Sequence, residues 1–277
     1  MLRTSLTDIA YLKRVLHQAD FTPARSAGQN FLICAEVTEA VLAATAAGPS
    51  RLTELGAGIG PLTQALSEAG KWVRAIERDP RLSTILKDHL PKKRYPHLQV
   101  IVEDLRTTTW TWAKPYQLVG NIPYNLSGFI LRRITQLEPA PSQVVLLLQQ
   151  EVGERLLATP PHMQLLSVAV QLWGTVQLLL NVPKSCFWPA PLVNSQLLLL
   201  MPHATPLVPS AEREAVVGLA KQFFQQRRKQ IGGTLAHITG QTKMATGAAL
   251  KRLGIAPTQR PQELSLAQWE KLYRYLK

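Results

Sequence analysis

Two cysteines in 277 residues, Cys34 and Cys186, are too few and too far apart for a disulfide framework, and neither belongs to a CxxC pair. That scarcity predicts a reducing compartment in which both thiols stay inert. Long apolar runs are missing too: Val144 to Leu148 and Gln196 to Met201 fall far short of the ~20 residues that cross a bilayer. The first residues mix Arg3, Lys13 and Arg14 with Asp8 and Asp20 and hold no apolar signal core. A cytoplasmic protein is expected, with no membrane partner. The six histidines show no HxxxH or His/Cys spacing, which predicts no metal. There is no internal repeat or low-complexity tract, and 46% hydrophobic with 18% charged residues excludes disordered and collagenous chains.

Acidic residues are the other shortage: 18 Asp and Glu face 31 Lys and Arg, a net charge of +13. The excess is uneven. Residues 205–277 hold 12 basic and 4 acidic residues, a net +8, and residues 1–204 carry the other +5. Clustered cations suit a polyanion, because phosphate contacts release condensed counterions; a plain solubilising surface is the alternative.

What is present is an apolar period that changes along the chain. Ile9, Leu12, Val15 and Leu16, then Val37, Val41 and Leu42, are spaced as in helices, with a loop from Thr22 to Asn30 between them. From Arg51 the pattern becomes short apolar runs: Leu52 to Leu55, Trp72 to Ile76, Leu98 to Val102, Leu118 to Gly120 and Val144 to Leu148, mostly separated by helix-length segments. That alternation predicts a mainly parallel sheet covered by helices. Thr175 to Val182 and Ser195 to Met201 add a terminal hairpin, making seven strands. Three prolines between Pro202 and Ser210 mark a linker, and the remainder, with Ala215, Leu219, Phe223 and Phe224 in register, reads as a small all-α domain. The expected domains are 1–204, with residues 1–48 as a helical N-terminal cap, and 205–277.

Glu54-Leu55-Gly56-Ala57-Gly58-Ile59-Gly60 follows the first long strand and opens a helix. GxGxG alone fits a dinucleotide site, a nucleoside site or a tight turn. Glu77 closes the next strand about twenty residues on, where a carboxylate accepts ribose hydroxyls. Glu54 beside the glycines repels a pyrophosphate but suits a ligand with an ammonium group. S-adenosylmethionine, with a positive amino-acid end and a sulfonium, is such a ligand, and it makes the first domain a Rossmann-like methyltransferase domain. Asp104, at the third strand's end, is placed either to accept the adenine amino group or to cap a helix.

The segment Gly120-Asn121-Ile122-Pro123-Tyr124-Asn125 ends the fourth strand. An exocyclic adenine amine is a poor nucleophile because its lone pair is delocalised. Asn121 and a carbonyl at Ile122 fixed by Pro123 can accept its two N–H bonds and aim the nitrogen at a sulfonium methyl, so positioning replaces a strong base. Tyr124 can stack on the base, worth ~1–3 kcal/mol.

With these residues the chain resembles the small-subunit ribosomal RNA adenine N6,N6-dimethyltransferases over nearly its entire length. The likeness starts at Gly28-Gln29-Asn30-Phe31-Leu32, the motif that covers the cofactor in that family, and runs through the Glu54 turn, Glu77, Asp104 and Asn121 to Asn125. Leu148 to Val152 with Arg155 and Leu156, Val182 to Phe187, and Gln226 to Ile231 resemble later family motifs. The resemblance implies S-adenosylmethionine held by Gln29, Asn30, Leu32, Glu54, Gly56, Gly58, Glu77, Asp104 and Asn121. It implies a target adenine held by Asn121, Pro123, Tyr124 and Phe187, the two rings sandwiching it, with the adenosine splayed from an RNA loop. The implied activity is dimethylation of two adjacent adenosines near the 3′ end of small-subunit rRNA, on the rRNA or the immature subunit, by a monomer. The alternatives are a large-subunit adenine N6-methyltransferase of the macrolide-resistance type and a ribosome-assembly factor with little turnover.

Three stretches depart from the family. Gln150 stands where a lysine is usual, Met163-Gln164-Leu165-Leu166-Ser167-Val168 lacks an arginine and a glycine, and Asn194 replaces an aspartate beside Phe187-Trp188-Pro189. These changes touch RNA docking and the second methylation rather than the cofactor turn. Finally, Phe223 to Ile231 reads as a helix with an apolar face and three successive cations, Arg227, Arg228 and Lys229. A solvated helix face is one reading; bidentate phosphate contact is the other, and the resemblance assigns the region to rRNA binding. Lys243, Lys251 and Arg252 extend the same surface.

Overall fold

The apolar runs become strands where expected. The computed structural model describes residues 8–23 and 28–277; Arg3 and residues 24–27 of the expected loop lie outside the described residues. The chain begins with α1 (Ile9–Gln18), β1 (Phe31–Leu32) and α2 (Ala35–Ala46). It continues through β2 (Arg51–Leu55), α3 (Pro61–Glu68), β3 (Trp72–Glu77), α4 (Pro80–His89), β4 (Leu98–Val102), β5 (Tyr116–Asn121), α5 (Ser127–Ile134) and β6 (Gln143–Gln149). Then come α6 (Gln150–Leu157), α7 (Leu165–Gln171), β7 (Gly174–Val182), β8 (Phe187–Trp188) and β9 (Ser195–Pro202), followed by α8 (Ser210–Phe224), α9 (Ile231–Thr239), α10 (Lys243–Arg252) and α11 (Leu266–Leu276).

Seven strands form one sheet in the order β4-β3-β2-β5-β6-β9-β7. β2 to β6 run parallel, and β9 lies antiparallel to β6, with Val144 opposite Leu200. Leu52, Val73, Ala75, Val119 and Val145 are buried in the apolar core, as the central strands of a covered parallel sheet must be. From β2 the chain winds outward to β3 and β4, then returns to β5 on the other side. That reversal opens a crevice at the carboxyl ends of β2 and β5.

A second, two-stranded sheet was not foreseen: Phe31 pairs with Trp188 and Leu32 with Phe187, antiparallel, in β1 and β8. The pairing overturns the expectation of two inert thiols. Cys34 and Cys186, 152 residues apart in sequence, are brought to a Cα separation of 5.0 Å and form a disulfide.

Two compact units divide the chain: Met1–Gly153 with Gln177–Met201, and Glu154–Val176 with Pro202–Lys277. The division differs from the expected boundary at 204/205 because Met163, Val168 and Leu172 bury themselves in the second unit's core with Val216, Phe223, Leu250 and Trp269. Trp269 packs edge-on to Phe223 and stacks with Phe224. The basic segment is corrected as well. α8 stops at Phe224, and Arg227, Arg228 and Lys229 are exposed in the turn before α9. Phe223 and Ile231 both reach zero exposure, so the chain must reverse between them, and the cations stay in water at the bend. Among the described residues, no helix is long and apolar enough to cross a membrane.

Candidate functional site

The crevice is built by three tips of the first unit. At β2, Gly56 turns at φ 78°, a conformation that disfavours a side chain, and a Cβ there would meet the Pro123 ring at 3.5 Å. Gly56 and Ala57 N–H groups both donate to Ile76 O at 3.0 Å, and Gly58 N–H donates to Glu77 Oε2 at 2.9 Å, locking the glycine turn to the end of β3. Pro61 follows as the first residue of α3, where its missing N–H costs nothing.

At β5, Ile122 N–H donates to Leu147 O, and Leu126 N–H donates to Pro123 O at 2.8 Å, closing a single helical turn over Tyr124–Leu126. Ser127 Oγ–H donates to Tyr124 O. The third tip is the segment leading into β1. Asn121 Nδ2–H donates to the main-chain oxygen of Asn30 at 2.9 Å. Gly28, at φ 68°, lets this segment press on the same loop: a Cβ on it would stand 3.3 Å from Tyr124 N and 3.4 Å from Pro123 Cα.

The crevice is lined by Gln29, Asn30, Leu32, Glu54, Gly56, Gly58, Glu77, Asp104, Asn121 and Pro123, so every expected cofactor residue lines it. Arg78, Leu105 and Arg106 join them, and none was expected. Tyr124 and Phe187 are not part of the lining. Tyr124 shares a hydrogen bond of 2.9 Å between its hydroxyl and Ser195 Oγ, and burial raises its pKa. Phe187 is 2% exposed and packs with Leu32, Val182 and Cys186.

Three carboxyls in the cavity have different electrostatics. Glu54 is 1% exposed, and burial pushes its pKa up to about 8, with nearby Glu77 adding to the rise. Thr63 Oγ1–H donates to Glu54 Oε2 at 2.5 Å and works against that rise. Burial also raises Glu77, opposed by N–H groups of Asp79 on Oε1 and Gly58 on Oε2. Asp104 is held down by the Arg106 N–H at 2.8 Å and by the guanidiniums of Arg106 and Arg78 at 3.2 and 3.7 Å. Its Asx-type bond to Arg106 closes a turn, not a helix, so the helix-capping alternative is not what the structure shows, and its place in the lining keeps it open to a ligand.

The departures from the family pattern have local uses. Asn194 Oδ1 accepts the Lys184 N–H and its carbonyl accepts the Gln150 N–H, so both unusual residues meet at the end of β6. Gln164 and Ser167 start α7: Gln164 N–H donates to Ser167 Oγ, whose hydroxyl donates to Arg155 O. Trp188 packs with the cluster of Leu12, Leu16 and Phe31, and Lys13 Nζ lies 5.6 Å from its ring centre. Among the described residues, no group of three or more His, Cys, Asp or Glu is placed to hold a metal.

The profile of the family described as ribosomal RNA adenine dimethylase matches residues 21–277. A Dehalococcoides mccartyi protein named ribosomal RNA small subunit methyltransferase A is 30% identical over 269 residues, covering 95% of this chain and 92% of the relative. Among solved structures, a dimethyladenosine transferase from Plasmodium falciparum aligns with a TM-score of 0.76 at 22% identity, over 87% of this chain and 95% of its own. The 23S rRNA methyltransferase ErmE aligns with a TM-score of 0.72 at 24% identity, over 89% and 99%. At such identities the two structures speak for the fold alone.

Glu54 generates a stability prediction. Its pKa is higher folded than unfolded, so its contribution is fully present below about pH 4.5 and is lost as pH rises to about 8. Glu54→Gln removes that titration. Denaturant unfolding at pH 5 and pH 8 should show the wild type losing roughly 3–5 kcal/mol relative to the variant. Parallel pH profiles would show that Glu54 ionises normally.

Proposed function

This chain belongs to the ribosomal RNA adenine dimethylase family, and on that premise we propose that it methylates N6 of two adjacent adenosines near the 3′ end of small-subunit rRNA. S-adenosylmethionine is the donor, each adenosine takes two methyl groups, and the protein acts on the immature subunit as a cytoplasmic monomer. One observation carries the reading. The Asn121 amide commits Nδ2 to Asn30 O, and Oδ1 is then the acceptor this residue offers the cavity.

The residues present fit the donor. Glu54, neutral in its buried setting, becomes a carboxylate partner when an ammonium group arrives beside it. Glu77 keeps lone-pair capacity for ribose hydroxyls beyond its main-chain bonds, and ionised Asp104 accepts an adenine amino group. S-adenosylmethionine, when bound, supplies an electrophilic methyl on positive sulfur. The chain does the rest by orientation. Asn121 Oδ1 and the Ile122 carbonyl accept the two amino hydrogens of the target base; the Pro123 carbonyl is already engaged by Leu126. Holding those hydrogens favours the pyramidal nitrogen of the transition state. After the first transfer only one hydrogen remains to be held, so the second methylation leans on a single acceptor. Tyr124, fixed at its hydroxyl by Ser195, gives the stacking face, while buried Phe187 supports Leu32 across the β1–β8 pair. Arg227, Arg228 and Lys229 reach rRNA phosphates from their exposed turn.

Primer extension tests the whole reading, because dimethyladenosine halts reverse transcriptase. Deleting the gene should remove the paired stops near the small-subunit 3′ end. Persistence of those stops, or loss of a large-subunit stop instead, would refute it. Asn121→Ala should weaken S-adenosylmethionine binding by up to about tenfold, because its tether to Asn30 is lost, while lowering kcat by about a hundredfold or more, since the contact with the target amine is made mainly in the transition state. Matched losses in both would count against the role. Replacing Arg227 and Arg228 together should lower the salt dependence of RNA binding by up to about two units of slope, measured by titration at several salt concentrations.

A further inference from the structure

Cys34 and Cys186 are absent from the chemistry above, yet each adjoins it. Cys34 lies two residues after Leu32, at the head of α2, and Cys186 immediately precedes Phe187. Leu32 and Phe187 are register partners, and Ile33 N–H donates to Cys186 O at 2.9 Å, so the disulfide closes the end of the β1–β8 ladder. Two strands of two residues each hold one another weakly. The covalent bond makes this short ladder a fixed support. Just ahead of it run Gly28, Gln29 and Asn30, which line the cavity, and the Asn30 carbonyl is the group that orients Asn121.

We infer that the Cys34–Cys186 bond is a redox-operated staple on the cavity cover: closed, it holds residues 28–33 against 186–188, and open, it frees the cover and weakens donor binding. The ligand part of this inference rests on the S-adenosylmethionine reading. The staple itself does not.

Exchange enters at Cys34, which is half-buried, because Cys186 is only 5% exposed. To open, a thiolate of a dithiol reductant attacks the Cys34 sulfur. A mixed disulfide forms, and Cys186 leaves as a thiolate and takes up a proton. The reductant's second thiol then displaces Cys34, leaving two protein thiols and an oxidised reductant, with two electrons transferred. To close, the Cys34 thiolate attacks a small-molecule disulfide and expels one thiolate. Cys186 then displaces the second, so the electron pair passes to the small molecule.

The test uses the full-length protein equilibrated with oxidised glutathione or, without oxygen, with dithiothreitol. Thiol titration should find no free thiol in the first state and two in the second. Reduction should speed amide hydrogen exchange in residues 28–34 and 183–188. It should lower Tm by roughly 5–10 °C, because a crosslink spanning 152 residues is lost. It should also weaken S-adenosylhomocysteine binding, measured by calorimetry, by roughly three- to tenfold, as for a cover closed only part of the time. The double variant Cys34→Ser with Cys186→Ser should match the reduced protein in both buffers; if it fails to fold, the two states of the wild type still decide. Two titratable thiols after oxidised glutathione, or identical exchange in the two states, overturns the staple. Absence of S-adenosylhomocysteine binding in both states, with exchange still redox-dependent, defeats the cofactor reading and leaves the staple standing.

Discussion

The hydrogen bond from Asn121 Nδ2 to the Asn30 carbonyl, spanning 91 positions, is the constraint on which the site depends. Asn121 ends a central strand and cannot move without the sheet. Asn30 belongs to a segment with little secondary structure of its own. The bond lends the rigidity of the first to the second, and Gly28 allows the backbones to approach closely enough to make it. The same bond commits one end of the amide to structure and, under the proposed function, leaves the other end for chemistry.

Around that contact the protein sorts three carboxyls by environment. Glu54 is buried deeply enough to hold its proton near neutrality, Glu77 balances burial against the main-chain donors of Asp79, Gly58 and Arg78, and Asp104 is kept ionised by Arg106 and Arg78. A polycationic chain thus lines its cavity with graded acidity: a carboxyl that burial keeps neutral, and one that neighbouring arginines keep ionised. Neither role comes from residue type alone.

Much of this was legible in the sequence, for identifiable reasons. Strands from Leu52 to Leu148 declare themselves because covered parallel strands are apolar on both faces, and the Glu54 turn, Glu77 and Asn121 are tied to strand ends by local rules. All nine residues expected to hold a cofactor line the cavity. What escaped was non-local or too short. β1 and β8 have two residues each and no period to detect, and nothing in a separation of 152 residues announces that Cys34 will meet Cys186. Arg78 and Arg106 carry no local sequence signal; only the fold brings both to Asp104. The run from Phe223 to Ile231 misled because its helical spacing is real as far as Phe224, after which the burial of Ile231 demands a bend.

The second unit is assembled from two pieces of chain, residues 154–176 and residues 202–277, with strand-forming residues of the first unit between them. A fragment beginning at the proline-rich stretch would leave behind Met163, Val168 and Leu172 and expose the apolar surface they cover. The basic half therefore cannot be exchanged as a cassette with a single junction. A chimera that exchanges the whole second unit must splice at three places, after Gly153, Val176 and Met201.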